Sequence, residues 1–214
     1  MKTDLKLYHS SASPNSRRVR VYLAERGLEV ELVPVDLGTK EQFSDAYAAV
    51  NPRKVVPTLV LADGTAIGEV PAIIRYLDEA FPERPLNGAT AKDKAVVQMW
   101  ERRMELEGFA AVMETVRNTV KGLAGRALSG PHGYEQIPGI VERGQLRIRD
   151  FYADLEERLS ASPHVAGEHF STADITAVAA VDFATKALSL GIPEGNEATR
   201  RWYAALSTRP SLSA

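Results

Sequence analysis

Residues 51–59 read NPRKVVPTL, and this stretch decides how the first part of the chain folds. Pro57 stands immediately before the apolar run at residues 58–61, which is typical of a fully buried strand. A proline that opens a central strand removes a donor from the strand ladder. A cis bond between Val56 and Pro57 would turn the chain so that the Val56 N–H and C=O face outward to pair with an extended peptide ligand. We expect that cis bond; an ordinary trans proline at a strand start is the alternative.

Strand and helix patterns alternate on both sides of this stretch, with Gly27 as a helix stop and a hairpin signal at residues 62–65. The spacing of apolar residues predicts strands at 5–8, 30–35, 58–61 and 66–67, helices at 17–26 and 70–80, and a loosely helical segment at 40–50. The predicted order is βαβ followed by ββα.

Strand signals stop after a segment rich in proline and glycine at residues 82–91, which is typical of an interdomain linker. The pattern beyond it predicts helices at 92–128, 137–160, 172–190 and 196–207. The predicted fold class is therefore α/β plus all-α, with an α/β domain at residues 1–81, a linker at 82–91 and an all-helical domain at 92–214.

Composition excludes several kinds of function. The 26 basic and 28 acidic side chains give a net charge of −2, without the positive field that nucleic-acid binding requires, so we expect no nucleic-acid partner. Cysteine is absent, so thiol chemistry must use a thiol brought by a ligand. The four histidines are scattered, and we expect no metal site. No apolar run is typical of a signal peptide or a bilayer span, so we expect a cytoplasmic protein without a membrane partner.

A serine-rich turn at residues 10–16 joins the first strand to the first helix. Backbone N–H groups and the helix dipole favour an anion at such a position, where a ligand thiolate would be stabilised. Ser13 before Pro14 is also common helix-start chemistry, with Ser as the N-cap and Pro at the first helical position. The two interpretations are compatible, because a hydroxyl can accept from the backbone while donating its proton to a bound sulfur.

Glu69 precedes the predicted helix at residues 70–80. Its carboxylate can pair with a ligand ammonium while the helix N-terminus binds the neighbouring carboxylate, and together these groups would recognise an amino-acid head. The alternative is a solvated acid favoured by the same helix dipole.

These segments together resemble the cytosolic glutathione transferase family, most closely its serine-type, zeta- or phi-like bacterial members. The resemblance spans the whole chain and rests on SSAS at 10–13, RVR at 18–20, QFS at 42–44, AVNP at 49–52, VPTL at 56–59 and FSTADI at 170–175. In the last segment Ser171 is expected to cap a helix, with Asp174 reaching back to it. The resemblance implies a thioredoxin-like N-terminal domain with a mixed four-stranded sheet, followed by the helical domain.

The resemblance also implies how a thiol is activated. Ser13 matches the hydroxyl that hydrogen-bonds the glutathione sulfur in serine-type relatives, where such a bond favours the thiolate and lowers the thiol pKa. Tyr8 matches the residue that tyrosine-type relatives use and is our second choice. Glutathione is therefore the expected co-substrate.

The implied glutathione-binding residues are Lys40 and Gln42 at the glycyl end, Val56 with Pro57 at the cysteinyl unit, and Glu69 with Val70 at the γ-glutamyl group. Two positions depart from the family pattern: relatives usually have Ser at position 70, and many have Gln at position 55, where this chain has Val55. Losing one hydrogen bond to a charged group costs roughly 1.5–3 kcal/mol, which is about tenfold or more in affinity. Pro71 also withholds one N–H from the same helix start.

The predicted function is a glutathione transferase that presents the glutathione thiolate to a small hydrophobic electrophile, as in detoxification, and that forms a homodimer. Two alternatives stay open. One is a glutathione-dependent cis–trans isomerase similar to maleylacetoacetate isomerase, and the other is a binding module that keeps the fold without turnover. The sequence leaves the electrophile undetermined and does not separate transfer from peroxide reduction or dehalogenation.

Overall fold

A computed structural model describes residues 2–214, with residue 2 as backbone only. The chain divides into two compact units. The first comprises the described residues up to Pro85 together with Ser129–Pro131 and Ser213–Ala214, and the second comprises Leu86–Leu128 and His132–Leu212.

The first unit is built on a sheet flanked by helices. Its elements are β1 (Lys2–His9), α1 (Pro14–Arg26), β2 (Glu29–Pro34), a 3₁₀ turn (Glu41–Phe43), α2 (Asp45–Val50), β3 (Thr58–Val60), β4 (Ala66–Ile67) and α3 (Val70–Ala80). Gly27 ends α1 as predicted, because its left-handed backbone (φ 62°) carries no steric penalty for glycine.

The mixed sheet has the strand order β2-β1-β3-β4 among the described residues. β1 runs parallel to β2 and antiparallel to β3, and β3 runs antiparallel to β4. Leu7 of β1 pairs with Leu59 of β3, and both side chains are fully buried, as are Ile73 and Leu77 of α3. The predicted βαβ–ββα order and thioredoxin-like fold are confirmed.

The second unit is helical. Its elements are α4 (Ala91–Arg103), a π-helical turn (Met104–Phe109), α5 (Ala110–Thr119), a 3₁₀ turn (Lys121–Leu123), α6 (Pro138–Ser160), α7 (Thr172–Leu188) and α8 (Glu197–Ser207). None of the helices within residues 2–214 is long and apolar enough to cross a membrane.

The predicted helix at residues 92–128 is wrong at its C-terminal end, because α5 stops at Thr119. The side-chain amide of Gln136 donates to the carbonyl of Arg117 (2.9 Å), in the last turn of the helix, and to that of Val120 (2.8 Å), which also accepts from the Leu123 N–H at 2.9 Å. The side chain of Asn118 accepts from the Ile137 N–H at 2.9 Å. These bonds come from a segment distant in sequence, and helical periodicity gives no signal for them.

The start of α7 confirms the predicted capping arrangement. Asp174 accepts from the Ser171 N–H at 2.9 Å, so the carboxylate reaches back to the residue before the helix. The same carboxylate is fully buried and also accepts from the Trp202 indole N–H (2.9 Å) and the Val165 N–H (3.0 Å). Asp174 therefore joins α7, α8 and the segment that precedes α7.

Candidate functional site

The end of β1 and the start of β3 lie at one edge of the sheet. These strands are antiparallel, with Tyr8 opposite Thr58, so the serine-rich turn at residues 10–16 leaves the sheet beside Pro57. The predicted thiolate-binding turn and the predicted peptide-pairing residue are thereby brought to the same edge.

The two outer strands bring their connections to this edge as well. Pro34, at the end of β2, pairs with His9, so the chain that leads to the 3₁₀ turn Glu41–Phe43 departs there. Ile67 of β4 pairs with Leu59, which places the connection to α3 at this edge too. The residues that the sequence assigned to glutathione lie in β1, on the connections that meet this edge or, for Val70, at the first position of α3.

Ser13 is the N-cap of α1, with Pro14 at the first helical position, as predicted. Its Oγ accepts from the Ser16 N–H at 3.2 Å, and its own N–H donates to the Ser10 carbonyl at 3.2 Å. The side chain is buried, with 7% of the residue exposed. Among residues 2–214 no acceptor takes the Ser13 hydroxyl proton. That proton is available to a ligand at the start of the helix, where the dipole favours an anion.

The Arg20 guanidinium holds the serine-rich turn against the end of β1, and no local sequence pattern predicts this contact. One guanidinium nitrogen of Arg20 lies 3.1 Å from the Ser10 carbonyl and 3.2 Å from His9 Nδ1. A guanidinium only donates, so Nδ1 of His9 accepts. Burial and the Arg20 charge lower the pKa of His9, which keeps its imidazole neutral and able to accept.

Tyr8 lies in β1 and packs with the cluster formed by Val35, Tyr47 and Val56. Its ring centroid is 6.0 Å from that of Tyr47, with the rings tilted by 59°. Tyr8 is thus partly buried beside the start of β3, and its aromatic ring packs against this apolar cluster.

The predicted cis Val56–Pro57 bond is confirmed. The preceding carbonyl, that of Val55, is held by buried side chains: the Tyr47 hydroxyl donates to it at 2.6 Å and the Asn51 amide at 3.1 Å. The Asn51 amide also donates to the Thr58 hydroxyl at 2.8 Å. This network fixes the backbone on both sides of Val56.

Tyr47, Asn51 and Thr58 hold the backbone of the candidate site, and no local pattern in the sequence predicts this. Burial raises the pKa of Tyr47, so its hydroxyl stays protonated and donates at neutral pH. Asn51 Oδ1 accepts from the Arg53 N–H at 2.9 Å, which fixes the orientation of the amide. The Asn-Pro pair signals a helix end, and nothing in the local sequence shows that its Asn side chain reaches Thr58.

Lys40 and Gln42, the two residues predicted to bind the glycyl end of glutathione, lie in different environments at the 3₁₀ turn Glu41–Phe43. Lys40 caps the turn with a left-handed backbone (φ 63°), and its side chain is exposed. Gln42 is buried, with 7% of the residue exposed, and its Oε1 has no hydrogen-bond partner in the described part of the chain. Buried amide oxygens normally accept a hydrogen bond, so Gln42 Oε1 is suited to accept one from a ligand.

Glu69 is the N-cap residue of α3 and has φ 62° and ψ 123°, a backbone conformation that is rare outside glycine. Its side chain is exposed and makes no capping bond. Val70 is 4% exposed, so its side chain belongs to the core. In the first turn of α3, the N–H groups of Val70 and Ala72 have no hydrogen-bond acceptor within residues 2–214. Pro71, between them, has no N–H to offer.

Across the described residues, no group of three or more His, Asp or Glu side chains is placed to hold a metal ion. The chemistry that this edge offers is hydroxyl donation, backbone pairing and charge pairing.

A thioredoxin-like unit with a cis-proline edge, followed by a helical unit, is the architecture of glutathione transferases. The model of the glutathione S-transferase N-terminal domain matches residues 7–85, and that of the C-terminal domain matches residues 138–205. The chain therefore belongs to the glutathione S-transferase family of enzymes.

Similar proteins cover the chain from end to end. Glutathione S-transferase 2 of Saccharomyces cerevisiae is 34% identical over 230 residues, covering 99% of this chain and 89% of the yeast protein. A glutathione S-transferase domain-containing protein of Marinobacter aquaeolei VT8 is 34% identical in its crystal structure, with a TM-score of 0.88 and coverage of 97% and 99% of the two chains. A glutathione S-transferase of Methylobacillus flagellatus, solved with glutathione bound, is 25% identical, with a TM-score of 0.80 and coverage of 98% of each chain.

Proposed function

We propose that this protein is a glutathione transferase that binds glutathione at the sheet edge between Ser13, Val56 and Glu69 and stabilises its thiolate for attack on a small hydrophobic electrophile. The observation that carries this proposal is the Ser13 hydroxyl. It accepts from the Ser16 N–H at 3.2 Å and retains its proton for a ligand at the N-terminus of α1. The glutathione bound to the Methylobacillus flagellatus relative supports glutathione as the ligand.

Each part of glutathione has a matching group at this edge. The Val56 backbone pairs with the cysteinyl unit, and Pro57 fixes the direction of that backbone. The exposed Glu69 carboxylate pairs with the γ-glutamyl ammonium, while the free N–H groups at the start of α3, beginning with Val70, take the γ-glutamyl carboxylate. Lys40 and Gln42 approach the glycyl end.

Activation of the thiol follows from the position of Ser13. At neutral pH a serine hydroxyl is no base, so the thiol proton leaves to solvent and the Ser13 hydroxyl donates to the resulting thiolate. The α1 dipole adds to this preference for the charged form. Each unit by which the thiol pKa falls corresponds to about 1.4 kcal/mol of differential stabilisation. With an activated chloronitrobenzene, the thiolate attacks the ring carbon that bears the chlorine, a carbon–sulfur bond forms, and the carbon–chlorine bond breaks so that chloride leaves to solvent with its electron pair.

The test compares the intact protein with Ser13→Ala, Ser13→Thr, Tyr8→Phe and the control Ser11→Ala, whose side chain is exposed in the same turn. Calorimetry measures glutathione binding, and conjugation of an activated chloronitrobenzene measures turnover. We expect Ser13→Ala to lose activity by roughly 10²-fold, with the pKa of bound glutathione raised, because one preorganised donor to the reacting anion is removed. Ser13→Thr, which keeps both the cap and the donor, should retain most activity.

Several outcomes would contradict the proposal. Full activity in Ser13→Ala would exclude Ser13 as the activating residue, and a loss in Tyr8→Phe alone would favour Tyr8. Undetectable glutathione binding by the intact protein would exclude every glutathione-dependent activity. Glutathione binding without turnover of any electrophile would favour a binding module, and turnover of a cis-configured dienoic diacid alone would favour an isomerase.

We also propose a homodimer and a role in detoxification, both by analogy with the family. Light scattering at micromolar concentration tests the assembly, and a mass of one chain would contradict it. The zeta- or phi-like subclass, the bacterial origin and the cytoplasmic location stay predictions.

A further inference from the structure

The carbonyl of Ser10 connects Arg20 to the residue that is proposed to activate glutathione. It accepts from one guanidinium nitrogen of Arg20 at 3.1 Å and from the Ser13 N–H at 3.2 Å. The Ser10 N–H donates to the Ser16 hydroxyl at 3.2 Å, and the Ser16 N–H donates to Ser13 Oγ at the same distance. All three serines are buried. The position of the Ser10 peptide therefore sets the position of the Ser13 hydroxyl.

His9 holds the Arg20 side chain in this place. The guanidinium nitrogen that donates to Ser10 also lies 3.2 Å from His9 Nδ1. That nitrogen carries two protons, so it can donate one to each acceptor. The other terminal nitrogen of Arg20 lies 3.5 Å from the backbone oxygen of Ala214. Because Nδ1 accepts, the neutral imidazole carries its proton on Nε2, and the contact with Arg20 requires that Nδ1 has none.

Acid places the second proton of His9 on Nδ1, the atom that faces Arg20. Two donors and two positive charges would then meet across 3.2 Å, and the guanidinium would be driven away from the imidazole. The charge of Arg17, on the same helix, also acts on Arg20 and adds to this repulsion. From β2, His9 meets Pro34 and Val35, which carry no charge that could offset it.

The direction of the pH dependence follows from the surroundings of His9. Burial and the Arg20 charge lower the pKa of His9 from its ordinary value of 6.5. The imidazole is therefore neutral at pH 7, where the contact with Arg20 is complete. It gains its proton, and the contact is lost, as the pH falls below 6.5 through the pKa of the folded protein.

We propose that Arg20 is a positioning residue for the Ser13 hydroxyl and that protonation of His9 releases Arg20, so that thiol activation fails in acid through the protein as well as through the thiol. This inference rests on the proposed function. Two protons then stop the reaction at low pH: one binds to the sulfur of bound glutathione and the other to Nδ1 of His9.

The first measurement counts these protons. It follows kcat/KM for an activated chloronitrobenzene at saturating glutathione between about pH 8 and pH 5. The proteins are the unchanged chain, His9→Asn, whose amide oxygen can accept from Arg20 without titrating, and the control His132→Asn, whose side chain is exposed. We expect log kcat/KM to fall with a slope of about 2 at the acid end for the unchanged chain and for His132→Asn, but with a slope of about 1 for His9→Asn.

The second measurement determines whether Arg20 acts through Ser13. At pH 7.5, Arg20→Met should lower kcat/KM by about tenfold, as for the loss of one hydrogen bond from a charged group. In a Ser13→Ala background the same change should lower kcat/KM by less than about twofold, because the hydroxyl that Arg20 positions is absent. Arg20→Lys, which keeps a charged donor, is the second variant and should keep the steeper acid slope.

Equal acid slopes for the unchanged chain and His9→Asn would overturn the inference. Equal losses from Arg20→Met with and without the Ser13 hydroxyl would do the same, because Arg20 would then act on the enzyme by another route. Absence of glutathione binding by the unchanged chain at pH 7.5 would instead contradict the proposed function. Circular dichroism at each pH establishes that every variant is folded, and activity should return when the pH is restored.

Discussion

The hydroxyl of Tyr47 donates a 2.6 Å hydrogen bond to the carbonyl of Val55, and this bond ties α2 to the loop that carries the candidate cysteinyl-binding backbone. The Tyr47 oxygen also lies 3.0 Å from the Thr58 hydroxyl, at the start of β3. Asn51 donates to that hydroxyl in turn, so one chain of bonds holds both sides of Val56. Linked bonds of this kind polarise one another inside a protein, and removing one member weakens the rest.

Tyr47→Phe should therefore affect binding more than stability. We expect a loss of about 1 kcal/mol in the free energy of unfolding, as for one hydrogen bond, because Asn51 still donates to Val55. Glutathione affinity should fall several-fold as the Val56 backbone loses its brace. Urea unfolding and calorimetry measure the two effects.

The matched control is Tyr76→Phe, which removes a hydroxyl that makes no hydrogen bond with residues 2–214. Equal changes in glutathione affinity for Tyr47→Phe and Tyr76→Phe would show that the network has no part in binding.

Asp174→Asn should severely destabilise the helical unit. The carboxylate is fully buried and accepts four bonds, from the Ser171 N–H and hydroxyl, the Val165 N–H and the Trp202 indole. An amide has only one acceptor oxygen, so it turns a donor towards groups that are donors themselves. We expect a loss of about 3 kcal/mol or more, measured as a lower midpoint of thermal or urea unfolding. The exposed Asp154→Asn is the control, and a shift as small as that of Asp154→Asn would refute the argument.

Glu156 of α6 gives the helical unit a pH-dependent stability. Its carboxylate accepts from the N–H groups of Ala198 and Thr199 (2.9 and 2.8 Å) and from the Thr199 hydroxyl (2.8 Å), and so caps α8 from a neighbouring helix. Burial raises the pKa of Glu156, but these bonds outweigh it and hold the pKa below its ordinary value of 4.5. Because the folded pKa is depressed, this stability is present above pH 4.5 and is lost as the pH falls through the folded pKa.

Glu156→Gln should therefore lower the free energy of unfolding by about 1 kcal/mol at pH 7, as for a helix cap. The difference from the unchanged protein should vanish in acid, where the carboxyl is protonated in both states. Exposed Glu157→Gln is the control in urea unfolding at several pH values. A difference that stays constant with pH would contradict the assignment.

Val70→Ser should increase glutathione affinity at some cost in stability. Val70 is 4% exposed, so loss of its methyl groups costs about 1–2 kcal/mol in core packing. The new hydroxyl stands at the start of α3, where the γ-glutamyl carboxylate is proposed to bind, and one bond to that charge is worth about tenfold in affinity. Val70→Ala removes the same methyl groups without adding a hydroxyl. Equal affinities for the Ser and Ala variants would place the γ-glutamyl group elsewhere.

Much of the candidate site was predictable because its signals are local. A proline before an apolar run predicted the cis bond between Val56 and Pro57. Ser13 before Pro14 predicted a helix that starts with a hydroxyl at its N-terminus. The roles of these residues in binding and turnover stay predictions. Helical periodicity failed at Thr119, because the bonds at the end of α5 are donated by Gln136 and Ile137, which lie too far along the chain for a periodic pattern to register.

The sequence by itself determined the order of strands and helices, the stop at Gly27, the cap at Ser171 and the absence of any cysteine of its own, since each depends on residue type and near neighbours. Only the tertiary structure decided that the Tyr47 hydroxyl meets the Val55 carbonyl and that the Lys54 ammonium turns towards Phe43. Pairing of β1 with β3 brings together segments some fifty residues apart, as Tyr8 opposite Thr58 shows. Contacts of that kind depend on strand register and on how side chains pack around them, and a local stretch of sequence determines neither.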